Sequence, residues 1–132
     1  MAKNTIGESR EDYLEAIYIL IKENGAARPT DIASFLGYSR PSVSVALKKL
    51  EDEGYVVRND WKIELTETGQ GIAQDMYGKH SFFKGWLVMA GVDEKTASEE
   101  ACRIEHVISD DSFHKVVDFM KRTHGDAIKD LV

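Results

Sequence analysis

The fold is decided by the stretch PTDIASFLGYSRPSVSVALKKL, which runs from Pro29 to Leu50. Pro29 and Thr30 open a short helix that closes at Gly37, because Pro suits a first helical turn and Gly suits a position just past a helix end. Ser39 then caps a longer helix that tolerates Pro41 in its first turn. Two short helices joined by a turn that contains glycine predict a helix-turn-helix, with the second as recognition helix.

The second helix of this pair has an unusual polar face. Val43, Leu47 and Leu50 face inward at helical spacing, which leaves a basic and hydroxyl-rich surface outside. Serine is a mediocre helix former, so its repetition here favours contact with DNA over an ordinary solvated hairpin of helices, the alternative reading. The candidate DNA-contacting residues, here and in the segments around it, are Arg28, Ser39, Arg40, Pro41, Ser42, Ser44, Lys48, Arg58 and Lys62.

The segments on either side complete a winged helix. Upstream, Ser9 is the expected N-cap of a first helix over Arg10–Lys22. Downstream, Tyr55–Arg58 and Lys62–Leu65 read as two short strands of a hairpin, which is the expected wing. We therefore expect a winged helix-turn-helix DNA-binding domain over residues 1–68.

The second half of the chain is predicted to be helical. A fourth helix over Glu67–Ala90 carries a wide apolar stripe, which suggests either a dimer interface or simple core packing. Asp93 can cap a fifth helix and Ser109 a sixth. The expected fold class is mainly α, with a metal-binding and dimerisation domain over residues 69–132.

The fifth helix carries Cys102, Glu105 and His106, which are spaced i, i+3 and i+4 and so share one helical face. A thiol, a carboxylate and an imidazole at one point suit a divalent transition metal. Neighbouring apolar residues, Val107 among them, are expected to pack against a core. The alternative is a buried cysteine with a surface glutamate and a surface histidine.

Composition bounds the function. The chain has 132 residues, a net charge of −6 and one cysteine, but Ala27–Leu50 holds four basic residues against one acidic residue. A locally basic stretch on an acidic body can form an electrostatic footprint for DNA. A lone cysteine, no signal-peptide pattern and no run of membrane-spanning length predict a cytoplasmic protein without membrane contact.

Several short motifs, taken in this order, resemble the metal-dependent repressors of the diphtheria toxin repressor and manganese transport regulator family. The resemblance runs from about Ser9 to Met120. The motifs are Asp12-Tyr13-Leu14-x-x-Ile17-Tyr18, Asp31-Ile32-Ala33, Leu65-Thr66-x-x-Gly69, Lys79-His80 and Glu100-Ala101-Cys102-Arg103-x-Glu105-His106-Val107.

The resemblance implies a homodimer that binds a palindromic double-stranded operator, and a divalent ion that ties the first helix to the fifth. The positions that match ligands of the manganese branch are Asp12, Glu15, His80, Glu105 and His106. Cys102 stands where that branch has a glutamate, and Asp12 stands where the iron branch has a methionine. We expect the chain to be like the manganese branch in length and to lack the SH3-like third domain of the iron branch.

We therefore expect a repressor, not an enzyme, with Fe²⁺ or Mn²⁺ as corepressor. The Cys102 thiolate favours Fe²⁺, and Co²⁺, Ni²⁺ or Zn²⁺ should bind in vitro. Two other readings remain open. One is a winged-helix regulator that answers a small organic ligand. The other is a small metal-dependent hydrolase, although the chain lacks a His-Glu-x-x-His motif.

Overall fold

The computed structural model describes residues 8–129 and 131, and confirms the mainly helical fold class with a winged helix first. The elements are α1 (Glu8–Asn24), α2 (Pro29–Leu36), α3 (Arg40–Asp52), β1 (Val56–Asn59), β2 (Lys62–Leu65), α4 (Glu67–Met89), α5 (Glu94–Val107) and α6 (Asp110–Ile128). The chain divides into two compact units between Asp75 and Met76, within α4. Within the described ranges, no helix is both long and apolar enough to cross a membrane.

The N-terminal unit packs α1, α2 and α3 around one apolar core. Leu14 and Ile17 of α1 are fully buried there, as are Ile32 of α2 and Val43 of α3. Burying an aliphatic side chain of this size stabilises the fold by about 1.5–3 kcal/mol. This packing holds α3 in place while its polar face stays exposed.

The turn and the cap that shape the helix-turn-helix are those that the sequence predicts. Gly37 ends α2 with φ +74°, a left-handed conformation that glycine adopts without strain. Ser39 caps α3, because its hydroxyl oxygen accepts a hydrogen bond from the Ser42 backbone N–H at 3.3 Å. α1 begins at Glu8, so the expectation that Ser9 caps this helix is wrong: Ser9 lies inside it.

The wing is an antiparallel hairpin of β1 and β2, in which Val56 pairs with Leu65 and Asn59 with Lys62. Thr66 joins its base to α4: the hydroxyl donates to the Gly54 carbonyl oxygen at 2.7 Å and accepts from the Gly69 backbone N–H at 3.1 Å. The Thr66 side chain therefore caps α4 and fixes the end of the wing together.

The C-terminal unit contains the rest of α4 with α5 and α6. Its apolar core includes Phe82 and Phe83 of α4, Ala101 of α5 and Ile128 of α6. The Phe82 ring also meets the Phe113 ring edge to face, with centroids 5.6 Å apart. As predicted, Asp93 caps α5 and Ser109 caps α6.

Candidate metal centre and nucleic-acid interface

The predicted trio on α5 is brought together in the structure. Cys102, Glu105 and His106 each offer one potential ligand atom, and these atoms lie within 4.8 Å of one another. Two ligands on opposite sides of one ion, with bonds of 2.0–2.3 Å, lie about 4–4.5 Å apart. The three donors therefore lie within a few tenths of an ångström of the spacing that a single small cation requires.

Glu105 is the electrostatic centre of this cluster. Its side chain is 0 % exposed; the Oε1 atom lies 2.8 Å from Nδ1 of His80 on α4, and the Oε2 atom lies 3.7 Å from Nε2 of His106. A carboxylate taken out of water needs a compensating positive charge. A divalent cation supplies that charge, and a soft sulfur beside nitrogen and oxygen suits a transition metal, so the donor set fits such an ion.

Some side chains of α5 are buried or exposed contrary to the sequence-based expectation. Val107, expected to pack against a core, is 70 % exposed, whereas Glu105 and His106 are buried. Ala97 and Ala101 are buried as expected. Two of the three ligand candidates are therefore buried, and Cys102 is half-buried. Burial is unusual for charged side chains that lack a partner.

A buried lysine holds the end of α5 that carries the cluster. The Lys79 Nζ atom donates to the Ile108 carbonyl oxygen at 3.2 Å and lies 2.6 Å from the Asp110 Oδ1 atom. The side chain is 2 % exposed. Since Ile108 follows the last residue of α5, this contact joins α4 to the connection between α5 and α6.

The remaining two metal-ligand candidates, Asp12 and Glu15, lie on α1 in the N-terminal unit. Glu15 follows Asp12 by three positions, so their carboxylates lie about one turn apart on the same side of that helix. These two residues offer hard oxygen donors, which suit Mn²⁺ and Fe²⁺.

The candidate DNA-contacting residues of α3 form an exposed surface. Arg40, Pro41, Ser44 and Lys48 are all exposed. The Lys48 ammonium lies 3.1 Å from the Asp52 carboxylate, an exposed surface pair of the kind that contributes little to stability. Ser39 and Ser42 are engaged locally, since the Ser39 hydroxyl donates to the Ser42 hydroxyl oxygen at 2.9 Å.

The other three candidates lie at or beside the wing. Arg58 and Lys62 are on β1 and β2. Arg28, which precedes α2, places its guanidinium 4.7 Å from the centroid of the Trp61 ring at the wing tip. The Lys62 ammonium is 5.9 Å from the same ring. The exposed Trp61 ring thus makes cation–π contacts with both Arg28 and Lys62.

The sequence pattern predicts no role for Lys79 or Trp61. Lys79 occurs in one of the short motifs of the family resemblance, but nothing in the local pattern indicates that it is buried. Trp61 stands between the two predicted strands, but its contact with Arg28 joins segments far apart in the chain. The one local indication of a role for Trp61 is that a large aromatic residue stands at a hairpin tip, where exposure to solvent is expected.

A winged helix joined to a helical unit that carries a buried carboxylate and imidazole beside a half-buried thiol defines a metal-responsive DNA-binding regulator. Residues 5–62 match the family described as iron dependent repressor, N-terminal DNA binding domain. Residues 66–129 match its metal binding and dimerisation domain. The chain therefore belongs to the iron-dependent repressor family, which includes the diphtheria toxin repressor and the manganese transport regulators. It is a metal-responsive, DNA-binding repressor that forms a homodimer.

Individual proteins agree with this placement. The chain is 42% identical over 120 residues to an uncharacterized HTH-type transcriptional regulator of Methanocaldococcus jannaschii, covering 89% of this chain and 96% of the relative. It is 32% identical over 126 residues to the HTH-type transcriptional regulator MntR of Lysinibacillus sphaericus, covering 93% and 91%. The solved structure of the manganese regulator SloR superposes with a TM-score of 0.74 at 30% identity, covering 92% of this chain and 55% of that one.

Proposed function

We propose that a divalent cation acts as corepressor and is held by Cys102, Glu105 and His106 of α5, with His80 of α4 and the α1 carboxylates of Asp12 and Glu15. The observation that carries the proposal is the complete burial of the Glu105 carboxylate among a thiol and two imidazoles. The inclusion of Asp12 and Glu15 is supported by their donor type and by the family resemblance.

The proposed ligands act through charge. Asp12, Glu15 and Glu105 repel one another when all three are ionised, which disfavours the approach of α1 to α5. A bound divalent cation supplies the positive charge that offsets this repulsion. His80 orients Glu105 through the 2.8 Å contact between Nδ1 and Oε1. Metal binding and DNA binding are then linked reciprocally, with a coupling of about 1–3 kcal/mol.

The DNA-binding role is proposed to lie in residues 1–68, and the metal-binding and dimerisation roles in residues 69–132. The exposed face of α3 enters the major groove, where arginine, lysine and hydroxyl groups contact phosphates and base edges. Arg28, Arg58 and Lys62 contact the backbone beside it. Because the homodimer presents two copies of α3, the operator is expected to be palindromic.

The ion is proposed to be Fe²⁺ or Mn²⁺. Relatives named as manganese regulators support Mn²⁺, as do the carboxylates of Asp12 and Glu15. The Cys102 sulfur supports Fe²⁺, because thiolates favour softer ions than Mn²⁺. Intrinsic affinity rises further towards Zn²⁺ and Cu²⁺, so geometry and availability of the ion must select it.

The test is an anaerobic titration of operator binding against Fe(II) and Mn(II), with a chelator control and the metal content of each protein measured. His106→Ala and Asp12→Ala should each abolish metal-dependent binding while the protein stays folded and dimeric. His114→Ala is the matched control, since this exposed histidine of α6 is outside the proposed ligand set. An intact metal response in both ligand variants would refute these assignments and favour a regulator that answers an organic ligand.

A further inference from the structure

One apolar side chain stands on the outward face of α3. Val45 is 64 % exposed, whereas Val43 and Leu47, two residues to either side, are 0 % and 1 % exposed. Successive helical residues are about 100° apart, so Val45 lies about 160° from both of these core residues. Its side chain therefore occupies the centre of the surface that faces away from the core.

Apart from Pro41, which lies one helical turn before it, the exposed neighbours of Val45 on this face are polar or charged. Ser44 precedes it, and Lys48, three residues later, lies on the same side; both are exposed. Lysine and hydroxyl groups can contact phosphates or bases, but a valine side chain offers no hydrogen bond to either. Val45, like Pro41 in the first turn of α3, is thus a member of this surface whose contact with DNA must be apolar.

The edges of the base pairs in the major groove offer one apolar group, the C5-methyl of thymine. A β-branched side chain in a helix has one strongly preferred χ1 rotamer, so the two Val45 methyl groups are already ordered before contact. We propose that Val45 reads a thymine methyl group in each half-site of the operator. This inference rests on the proposed function, in which α3 enters the major groove.

The size of the effect follows from the area that the contact removes from water. Burying one methyl-sized group contributes about a fourfold change in affinity. A dimer makes the contact twice, so loss of both methyl groups from a symmetric operator should weaken binding by about 10–20-fold. Val45 would then determine part of the base preference, while Lys48 and the serine hydroxyl groups of α3 fix the position of the helix along the duplex.

The experiment begins with an operator selected from random duplexes by the metal-loaded wild-type dimer. Each thymine is replaced by deoxyuridine, which removes the methyl group and leaves Watson–Crick pairing unchanged, and affinities are measured for wild type and Val45→Ala. We expect one thymine per half-site at which deoxyuridine weakens the wild type about fourfold and the variant less than 1.5-fold. Alanine is the better helix former, so the exposed substitution should leave α3 folded.

Val57→Ala is the matched control, because Val57 is an exposed valine of the wing and lies outside α3. At every thymine, deoxyuridine substitution should lower the DNA affinity of Val57→Ala by the same factor as that of wild type. The inference is overturned if wild type and Val45→Ala lose affinity equally at all thymines, or if the selected operators share no thymine. Failure of the proposed function has a different signature, namely no metal-dependent binding of wild type to any duplex.

Discussion

The Lys79 ammonium lies 2.6 Å from the Asp110 carboxylate and is 2 % exposed, so a buried cation of α4 pairs with the first residue of α6. It also donates to the Ile108 carbonyl oxygen at 3.2 Å. These contacts fix the chain just after Glu105 and His106. The lysine is therefore part of the framework that holds the proposed ligands on α5.

Lys79→Met, which keeps the aliphatic stem but removes the amine, should destabilise the protein. Loss of hydrogen bonds to a charged group in a buried site costs about 1.5–3 kcal/mol. Urea unfolding of the metal-free protein measures this. Lys84→Met is the control, because the Lys84 pair with Glu94 is 3.4 Å long, its side chains are 34 % and 81 % exposed, and its loss should cost less than about 1 kcal/mol. Equal losses in both variants would contradict the structural role of Lys79.

Two glycines of α4 should respond oppositely to alanine. A Cβ atom at Gly69 would collide with the Tyr55 carbonyl oxygen, whereas a Cβ at Gly71 would meet nothing within 4 Å. Gly69→Ala should therefore destabilise the protein by about 1–3 kcal/mol through overpacking at the base of the wing. Gly71→Ala should stabilise it by up to about 1 kcal/mol through helix propensity. Thermal unfolding of both variants checks this, and a neutral Gly69→Ala would show that the close approach is absent.

Replacement of Cys102 should change which ion activates the protein. Cys102→Glu exchanges a soft sulfur for a hard oxygen, so the ratio of apparent affinities should move towards Mn²⁺ over Fe²⁺ by about tenfold or more. The measurement is anaerobic operator binding titrated with each ion. Cys102→Ser serves as control, since it removes the sulfur without adding a charged oxygen. An unchanged ratio in Cys102→Glu would show that the sulfur does not coordinate the ion.

The Arg28 contact with Trp61 predicts two kinds of loss in DNA binding. Arg28→Ala should weaken binding and lower the salt dependence, because a phosphate contact is lost. Trp61→Ala should weaken binding about two- to fivefold with little change in the salt slope, since the guanidinium remains but is no longer held over a ring. The double variant should bind like Arg28→Ala alone. Additive losses would mean that the two residues act independently.

Asp93 gives a prediction about pH. The Thr96 backbone N–H donates to its carboxylate, and this hydrogen bond lowers the pKa of Asp93. A lowered pKa in the folded state stabilises the protein at pH values above the unfolded pKa of about 3.9, and this contribution is lost as pH falls through the folded pKa. Asp93→Asn keeps a capping side chain but does not titrate. The stability advantage of wild type over this variant, measured by urea unfolding, should therefore shrink between pH 5 and pH 3.

Local signals predicted much of this molecule. The cap at Ser39, the turn at Gly37 and the trio on α5 each depend on residues within about one helical turn. The structure confirms the cap and the turn, and it brings the side chains of the trio close together. The fold class followed from their order along the chain, since helix, helix, helix and hairpin have few compact arrangements.

What local patterns could not predict depends on tertiary packing. Hydropathy places charged residues at the surface, so the burial of Glu105 and the exposure of Val107 both run against it. The contact between Arg28 and Trp61 joins segments that only the folded chain brings together. Departures from hydropathy-based expectation are most frequent at functional sites, where a side chain is placed for binding and not for stability.

The double contact of the Thr66 hydroxyl limits where the length of the wing can vary among related proteins. One hydroxyl both closes the base of the hairpin and starts the helix that follows, so length changes at that end would disturb two elements at once. The tip between Asn59 and Lys62 joins only the two strands, and the fold tolerates insertions best at exposed loop tips, although an insertion there would displace Trp61 from Arg28. We expect natural variation in wing length to accumulate at the tip, leaving the junction at Thr66 invariant in spacing.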